Sequence, residues 1–380
     1  MAKPVGSRCN LACPYCYYRD KGASAGDDDS WRMSDALLED YVRGAFAANP
    51  GPVVSFVWHG GEPTLAGIDF YRRAVAHQER NLPAGWSCWN DLQTNGVLLD
   101  DDWCAFLAEN RFDVGVSLDG TRTLHDANRR DVAGQPSYDR VVASVRRLQA
   151  HGIQPDLLCT VTSDSAREPL PVYRALRDLG TGWIQFIPIV RRTPDGRTTA
   201  DSVMGVTYGD FLCGVFDEWS SRDFGRLDVQ LFAELQLVLS GGTASVCWMN
   251  PTCGRVPVLE RDGSVYSCDH FVDATHRIGD VATSTLGELV ESSVQTRFGR
   301  DKRDLLPSRC LGCNWLALCN GGCPKDRFDR TGEEGREISV LCEGMQRFFR
   351  HAMPVLDEIV RLRKSGADTP AIRARLAEQR

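Results

Sequence analysis

Val53-Val54-Ser55-Phe56-Val57-Trp58-His59-Gly60-Gly61-Glu62-Pro63-Thr64 is a β-branched and aromatic run that stops on two glycines. A short apolar run of that kind reads as a buried strand, and glycines at its end let the backbone turn sharply or approach a ligand closely. The same unit recurs. Trp89–Gln93 runs into Gln93-Thr94-Asn95-Gly96, Asp113–Leu118 runs into Ser117-Leu118-Asp119-Gly120, and Asp156–Val161 and Trp183–Val190 read as further strands. Between them Asp35–Ala48, Tyr71–Glu79, Asp101–Glu109, Tyr138–Ala150 and Pro171–Leu179 carry helical periodicity with turn residues at their ends. Strand-then-helix alternation predicts a parallel sheet closed into a full or partial barrel, with the site at the C-terminal edge of its strands. Each glycine loop taken alone also reads as an ordinary βα turn.

The chain has 380 residues, 42% of them hydrophobic, and a formal net charge of −7. That length suggests two or three domains with enough apolar material for a core, and it excludes disordered and collagen-like classes. Mild acidity argues against a nucleic-acid partner. No apolar run approaches the roughly 18 residues of a membrane span, and Met1-Ala2-Lys3-Pro4 leads into polar sequence without a signal-peptide core, so a cytoplasmic location and no membrane partner are expected. In a reducing compartment the fifteen cysteines read as free thiols or metal ligands. Residues 24–30, Ser-Ala-Gly-Asp-Asp-Asp-Ser, read as a mobile acidic loop.

Spacing sorts the cysteines. Cys9, Cys13 and Cys16 lie in Cys9-Asn10-Leu11-Ala12-Cys13-Pro14-Tyr15-Cys16-Tyr17-Tyr18. Three thiolates bind three irons of a [4Fe–4S] cube and leave the fourth open, whereas a structural zinc wants four ligands in a closed shell. After Gly241-Gly242 the texture changes to short hairpin-like pieces, Val256–Leu259 and Ser264–Tyr266 around Gly263, and eight more cysteines. Cys247, Cys253, Cys268, Cys310, Cys313, Cys319, Cys323 and Cys342 make two four-thiolate sets, which fits two closed [4Fe–4S] clusters and leaves two structural zincs open. The remaining four, Cys88, Cys104, Cys159 and Cys213, sit in apolar patterns as small buried hydrophobes. From Gln346 onward the chain is amphipathic and charged, which predicts one or two surface helices.

The Cys9-x3-Cys13-x2-Cys16 loop is similar to the signature of radical S-adenosylmethionine enzymes, and Gly60-Gly61-Glu62-Pro63 resembles the loop that holds the methionine amino group in that superfamily. The later cysteines resemble the SPASM domain. Pro251-Thr252-Cys253-Gly254, Gly263 to Phe271, Cys319 to Lys325 and Trp58 to Thr64 resemble anaerobic sulfatase maturases over about Lys3 to Arg350. The resemblance implies a partial (β/α)6 TIM-like barrel over 1–240, a SPASM domain over 241–345 and a helical tail over 346–380. It implies three [4Fe–4S] clusters: one on Cys9, Cys13 and Cys16, one on Cys247, Cys253, Cys268 and Cys323, and one on Cys310, Cys313, Cys319 and Cys342. S-adenosylmethionine, as second cofactor, would be cleaved to a 5′-deoxyadenosyl radical that takes a β-hydrogen from a Cys or Ser of a sulfatase polypeptide, giving Cα-formylglycine. An electron donor such as flavodoxin or ferredoxin is implied as a partner.

The likeness also assigns site residues. His59, Gly60, Gly61, Glu62 and Ser117 would contact S-adenosylmethionine, and so would one arginine among Arg129, Arg130 and Arg140, taken here as Arg140. His59 stands where many relatives have glutamine. Tyr18 matches an aromatic near the substrate, or packs over the cluster loop. Asp269, next to Cys268, matches the catalytic aspartate that takes the substrate's proton while an auxiliary cluster takes the electron; a carboxylate that caps a turn is the plainer reading. Two rivals remain at this point: a SPASM enzyme that modifies a ribosomal peptide, and a zinc-stabilised binding protein.

Overall fold

A computed structural model describes residues 1–19, 21, 31–329 and 336–378. The acidic loop expected at 24–30 lies outside the described residues. Ten strands carry the architecture: β1 (Ala2–Lys3), β2 (Val53–Trp58), β3 (Ser87–Thr94), β4 (Asp113–Ser117), β5 (Asp156–Val161), β6 (Trp183–Pro188), β7 (Asp228–Val229), β8 (Val258–Glu260), β9 (Ser264–Tyr266) and β10 (Arg277–Asp280). They belong to two compact units. One comprises Met1–Ser117, Asp126–Pro155 and Gly254–Gly299; the other comprises Leu118–His125, Asp156–Cys253 and Arg300–Arg380.

In the first unit the strand order is β10-β9-β8-β1-β2-β3-β4. β2, β3 and β4 are parallel neighbours, joined through helices Ile68–Asn81 and Asp101–Glu109, as the alternation predicts. β1 escaped the sequence reading because two residues ahead of a proline have no period to detect. It is nonetheless central: Ala2 stands opposite both Trp58 and Leu259, so β1 bridges the parallel strands to the β8-β9-β10 meander. The core behind β2 is aromatic. Trp58 meets Tyr41, Phe70 and Tyr71 edge-on at centroid distances of 5.8, 5.9 and 5.6 Å, an arrangement that adds about 0.5–1.5 kcal/mol per pair beyond area burial. Its indole N–H donates to Asn90 Oδ1 at 2.8 Å, and Asn90 exchanges two amide bonds of 2.9 Å with Gln78. The buried polar groups beneath the site are thus paired.

In the second unit β5, β6 and β7 are parallel. Helices Gly205–Glu218 and Gln230–Leu239 were not read from the sequence: the second is apolar almost all round, while the first buries Tyr208, Phe211, Leu212, Val215 and Phe216 at helical spacing, a signal the sequence carried and the reading missed. The helix expected on the surface of the tail is instead a core helix, Cys342–Lys364, that buries Phe348, Phe349, Leu356 and Ile359. It meets Gly205–Glu218 backbone to backbone: a Cβ on Gly209 would stand 2.5 Å from the Gly344 carbonyl oxygen. Thr369–Glu378 forms the last helix.

Candidate active site

The C-terminal end of β2 is fixed against the residues that precede the cysteine loop. Gly61 N–H donates to Gly6 O and Glu62 N–H to Arg8 O, each at 2.8 Å. Gly60 has φ +140°, and a Cβ on Gly61 would lie 2.0 Å from the Arg8 oxygen, so neither position accepts a side chain without moving the loop. In that loop Cys9 Sγ accepts from Leu11 N–H at 3.3 Å and from the Asn95 amide at 3.7 Å. Asn95 also donates to Asn10 Oδ1 at 2.7 Å.

Glu62 faces inward and is 0% exposed. Its Oε1 accepts from Thr64 N–H at 3.1 Å and from the hydroxyls of Thr64 and Thr94 at 2.7 Å each; Oε2 accepts from Asn95 N–H at 2.7 Å. Thr94 Oγ1 itself accepts from Gly96 N–H at 3.0 Å, so its proton points at Glu62. Burial raises the carboxyl pKa and these hydrogen bonds work against the rise. Four donors and no acceptor call for the carboxylate, which ties the glycine turn after β2 to the end of β3.

Asp269 follows β9 and is 18% exposed at its side chain. Tyr17 hydroxyl donates to its Oδ2 at 2.5 Å, the Cys268 thiol lies 3.5 Å from Oδ1, and the Lys3 ammonium lies 3.9 Å from Oδ2. Burial by itself would raise the carboxyl; the charges of His270 and Lys3 and the Tyr17 hydrogen bond overcome it and hold Asp269 well below the usual carboxylate range. Lys3 is 0% exposed and donates to His59 Nδ1 at 3.0 Å, with its ammonium 4.2 Å from the Tyr18 ring centre. Gly60 N–H also donates to His59 Nδ1, at 2.7 Å. Two donors on Nδ1 fix the tautomer with the proton on Nε2, and burial followed by the Lys3 charge lowers the ring's pKa to about 3. At this position histidine is a neutral hydrogen-bonding group.

Tyr18 is brought beside this network, with its hydroxyl bonded to Glu260. The tyrosine on the aspartate is Tyr17, which sequence reasoning passed over, as it did Lys3 and Glu260. Ser117 ends β4 and accepts from the Gln93 amide at 3.2 Å. Arg140 is 44% exposed and pairs with Asp131 at 3.0 Å, a residue that itself bridges to Leu11 of the cysteine loop. Arg129 is the buried arginine, 5.6 Å from the ring centre of Tyr15 between Cys13 and Cys16.

All fifteen cysteines are free thiols. Burial, then neighbouring charges that include Cys13 and Cys16, pushes the Cys9 thiol up to about 12. In the second unit burial raises Cys319 to about 11, with Cys342, Cys310 and Cys313 adding to it, and raises Cys323 to about 12, with Cys247 among its neighbours. A buried thiol ionises when a metal displaces its proton, and the N–H groups on Cys9 are placed to solvate the thiolate that would result. Among the described residues no three Cys, His, Asp or Glu side chains converge as a single ion demands. A cube, with one iron per thiolate, makes no such demand, so the donor set fits iron–sulfur clusters. Cys104 and Cys159 are 0% exposed, and Cys88 and Cys213 are half-buried.

Residues 4–164 match the radical SAM superfamily, and residues 247–314 match an iron–sulfur cluster-binding domain, SPASM. The serine-type anaerobic sulfatase-maturating enzyme of Bacteroides thetaiotaomicron is 38% identical over 94% of this chain and 90% of its own length. The cysteine-type enzyme of Clostridium perfringens strain 13 is 33% identical over 94% of this chain and 96% of its own. Native anSMEcpe with bound AdoMet and Cp18Cys peptide superposes with a TM-score of 0.86 at 32% identity, over 95% of this chain and 98% of that one. The likeness bears out the mostly parallel α/β sheet, consistent with a partial TIM-like barrel, and favours iron–sulfur over zinc in the cysteine-rich region. With the cysteine loop, the glycine turn and the aspartate in place, the chain belongs to the anaerobic sulfatase-maturating enzymes, radical S-adenosylmethionine oxidoreductases that carry a SPASM iron–sulfur domain.

Proposed function

We propose that this enzyme converts a Cys or Ser in a sulfatase peptide to Cα-formylglycine, with Asp269 as the base. The observation that carries the reading is the Asp269 carboxyl group held by the Tyr17 hydroxyl and the Lys3 side chain, in the same compact unit as Cys9, Cys13, Cys16 and the Gly60-Gly61-Glu62 turn. S-adenosylmethionine and the clusters supply, when bound, the species that removes a β-hydrogen and the sink for one electron. The residues do the rest. Cys9, Cys13 and Cys16 hold the first cluster; Gly60, Gly61 and Glu62 shape the cradle for the cofactor's amino group. His59 contributes its Nε2–H, and Ser117 a hydroxyl. Of the arginines, Arg129 is better placed than Arg140 for the cofactor's carboxylate, because it is buried against the cysteine loop.

Loss of the β-hydrogen and of one electron leaves the substrate O–H or S–H proton to be removed, and Asp269, unprotonated at neutral pH, accepts it. A serine then carries the aldehyde directly. A cysteine becomes a thioaldehyde, which water converts to the aldehyde with release of hydrogen sulfide. A low-potential flavodoxin or ferredoxin is the proposed electron donor and the cytoplasm the proposed location; among the described residues no helix is long and apolar enough to cross a membrane. Anaerobic incubation with a sulfatase peptide, reductant and S-adenosylmethionine tests the reading by mass. Loss of two hydrogens from Ser, or the Cys-to-aldehyde change, supports it; unchanged peptides of both kinds reject it.

A further inference from the structure

Two cations in the second unit take no part in the chemistry above. Lys302 is 1% exposed, yet it is a lysine. Its ammonium donates to the main-chain carbonyls of Cys247 at 2.9 Å and Trp248 at 2.8 Å, and to that of Asn250. Arg327 is half-buried and donates to the carbonyls of Gly321 at 2.9 Å, Asn320 at 2.9 Å, Gly322 at 3.3 Å and Lys302 at 2.6 Å. Asn320, Gly321 and Gly322 have φ of 48°, 73° and 69°, a left-handed run between Cys319 and Cys323 that turns its carbonyls toward the guanidinium. The Asn320 amide closes the arrangement by donating to Met249 O at 2.6 Å. The loops that carry Cys247 and Cys323 are therefore braced by two cations whose hydrogen bonds, among the described residues, go only to carbonyls.

Carbonyl dipoles alone leave a buried ammonium short of countercharge, and burying such an ion costs several kcal/mol unless an anion is near. The anion at hand would be a cluster with its thiolates: Lys302 sits on the carbonyl of Cys247 itself and on that of Asn250, three residues before Cys253. Lys302 holds the main chain at Cys247, Trp248 and Asn250, beside ligands of one set, whereas Arg327 holds the turn 320–322 between Cys319 of one set and Cys323 of the other. Cluster potential follows net charge and hydrogen bonding around the sulfurs, and a nearby cation favours the reduced, more negative state.

We propose that Lys302 is a positioning residue that makes the auxiliary cluster ligated through Cys247, Cys253 and Cys323 easier to reduce than the cluster on Cys310, Cys313, Cys319 and Cys342, with Arg327 as the brace common to both. The inference rests on the cluster reading above and assigns the two auxiliary centres different electron affinities.

The test is iron analysis with potentiometric electron paramagnetic resonance on anaerobically purified enzyme. Lys302→Gln keeps a donor and removes the charge. The expected result is wild-type iron content, with one auxiliary cluster shifted at least tenfold toward its oxidised state, which for a one-electron couple is about 59 mV more negative, and the other unmoved. Lys302→Arg restores the wild-type potential. Iron lost in Lys302→Gln and regained in Lys302→Arg makes the cation a support of cluster loading rather than of its potential, and overturns the proposal. Iron lost in both, full iron with unshifted potentials, or equal shifts of both clusters overturns the proposal. Wild-type protein without auxiliary iron would instead sink the cluster reading itself, before any variant is made.

Discussion

Glu62→Gln changes one atom and isolates the link between the glycine turn and β3. The carboxylate accepts four hydrogen bonds at 2.7–3.1 Å and is fully buried. A glutamine that keeps its oxygen at Oε1 turns its NH2 toward Asn95 N–H, two donors facing each other, and strands that backbone group at a cost of about 1–3 kcal/mol. The other orientation sets the NH2 against three donors, with Thr94 unable to turn because Gly96 occupies its oxygen. Loss of charge assistance on the three remaining bonds costs about 0.5 kcal/mol each, and relief of a buried charge offsets part of it. A net of about 2 kcal/mol against the ordered turn corresponds to roughly thirtyfold weaker S-adenosylmethionine binding, at about 1.4 kcal/mol per tenfold. Equilibrium dialysis of reduced enzyme with labelled cofactor measures it, beside iron content, which should not fall. Affinity within threefold of wild type at full iron loading would show that the turn does not depend on the carboxylate.

Wild-type protein purified without oxygen should carry about twelve irons per chain, four per cube, and zinc in their place would refute the cofactor set. Asp269→Asn should retain that iron and slow aldehyde formation by about 10²–10⁴-fold, the span of general-base catalysis; full turnover removes Asp269 as base. Tyr17→Phe deletes the hydroxyl on Asp269, worth about 1.5 kcal/mol or roughly tenfold in kcat, whereas Tyr18→Phe should act on stability through Glu260; the reverse pattern in single-turnover assays contradicts the geometry. His59 stays neutral in the folded chain down to about 3, while a free histidine titrates at 6.5. Below pH 6.5 the unfolded chain binds the extra proton, so this contribution is full above that pH and is lost on acidification toward 3, by up to about 1.4 kcal/mol per pH unit. His59→Gln should flatten the acid slope in urea unfolding, and an identical slope counts against the buried neutral ring.

Asp35–Ala48, Asp101–Glu109, Tyr138–Ala150 and Asp156–Val161 were legible to the residue because each has a clean period and a turn at both ends. The cysteine loop and the glycine turn were legible because their chemistry is local. Lys3 was not. Whether a lysine is buried depends on partners far along the chain, here His59 and Asp269, and no local pattern announces them. Tyr17 and Tyr18 are adjacent in an irregular loop, where no alternation tells which ring faces Asp269 and which faces Glu260. Arg140 and Arg129 divide on burial, which one short helix and a turn do not reveal. The helix from Cys342 looked like a surface element because its charged face is conspicuous and its apolar face needs Gly205–Glu218 as partner.

The pairing of β1 with β8 sets a constraint on synthesis. Ala2 and Lys3 leave the ribosome well before their neighbours Leu259 and Glu260, which follow more than 250 residues later. At the usual pace of translation the amino-terminal strand waits tens of seconds with one edge bare, and such distant pairing is intrinsically slow. Neither compact unit is a continuous stretch of message, so truncation anywhere between β1 and β10 divides the ten strands between two fragments.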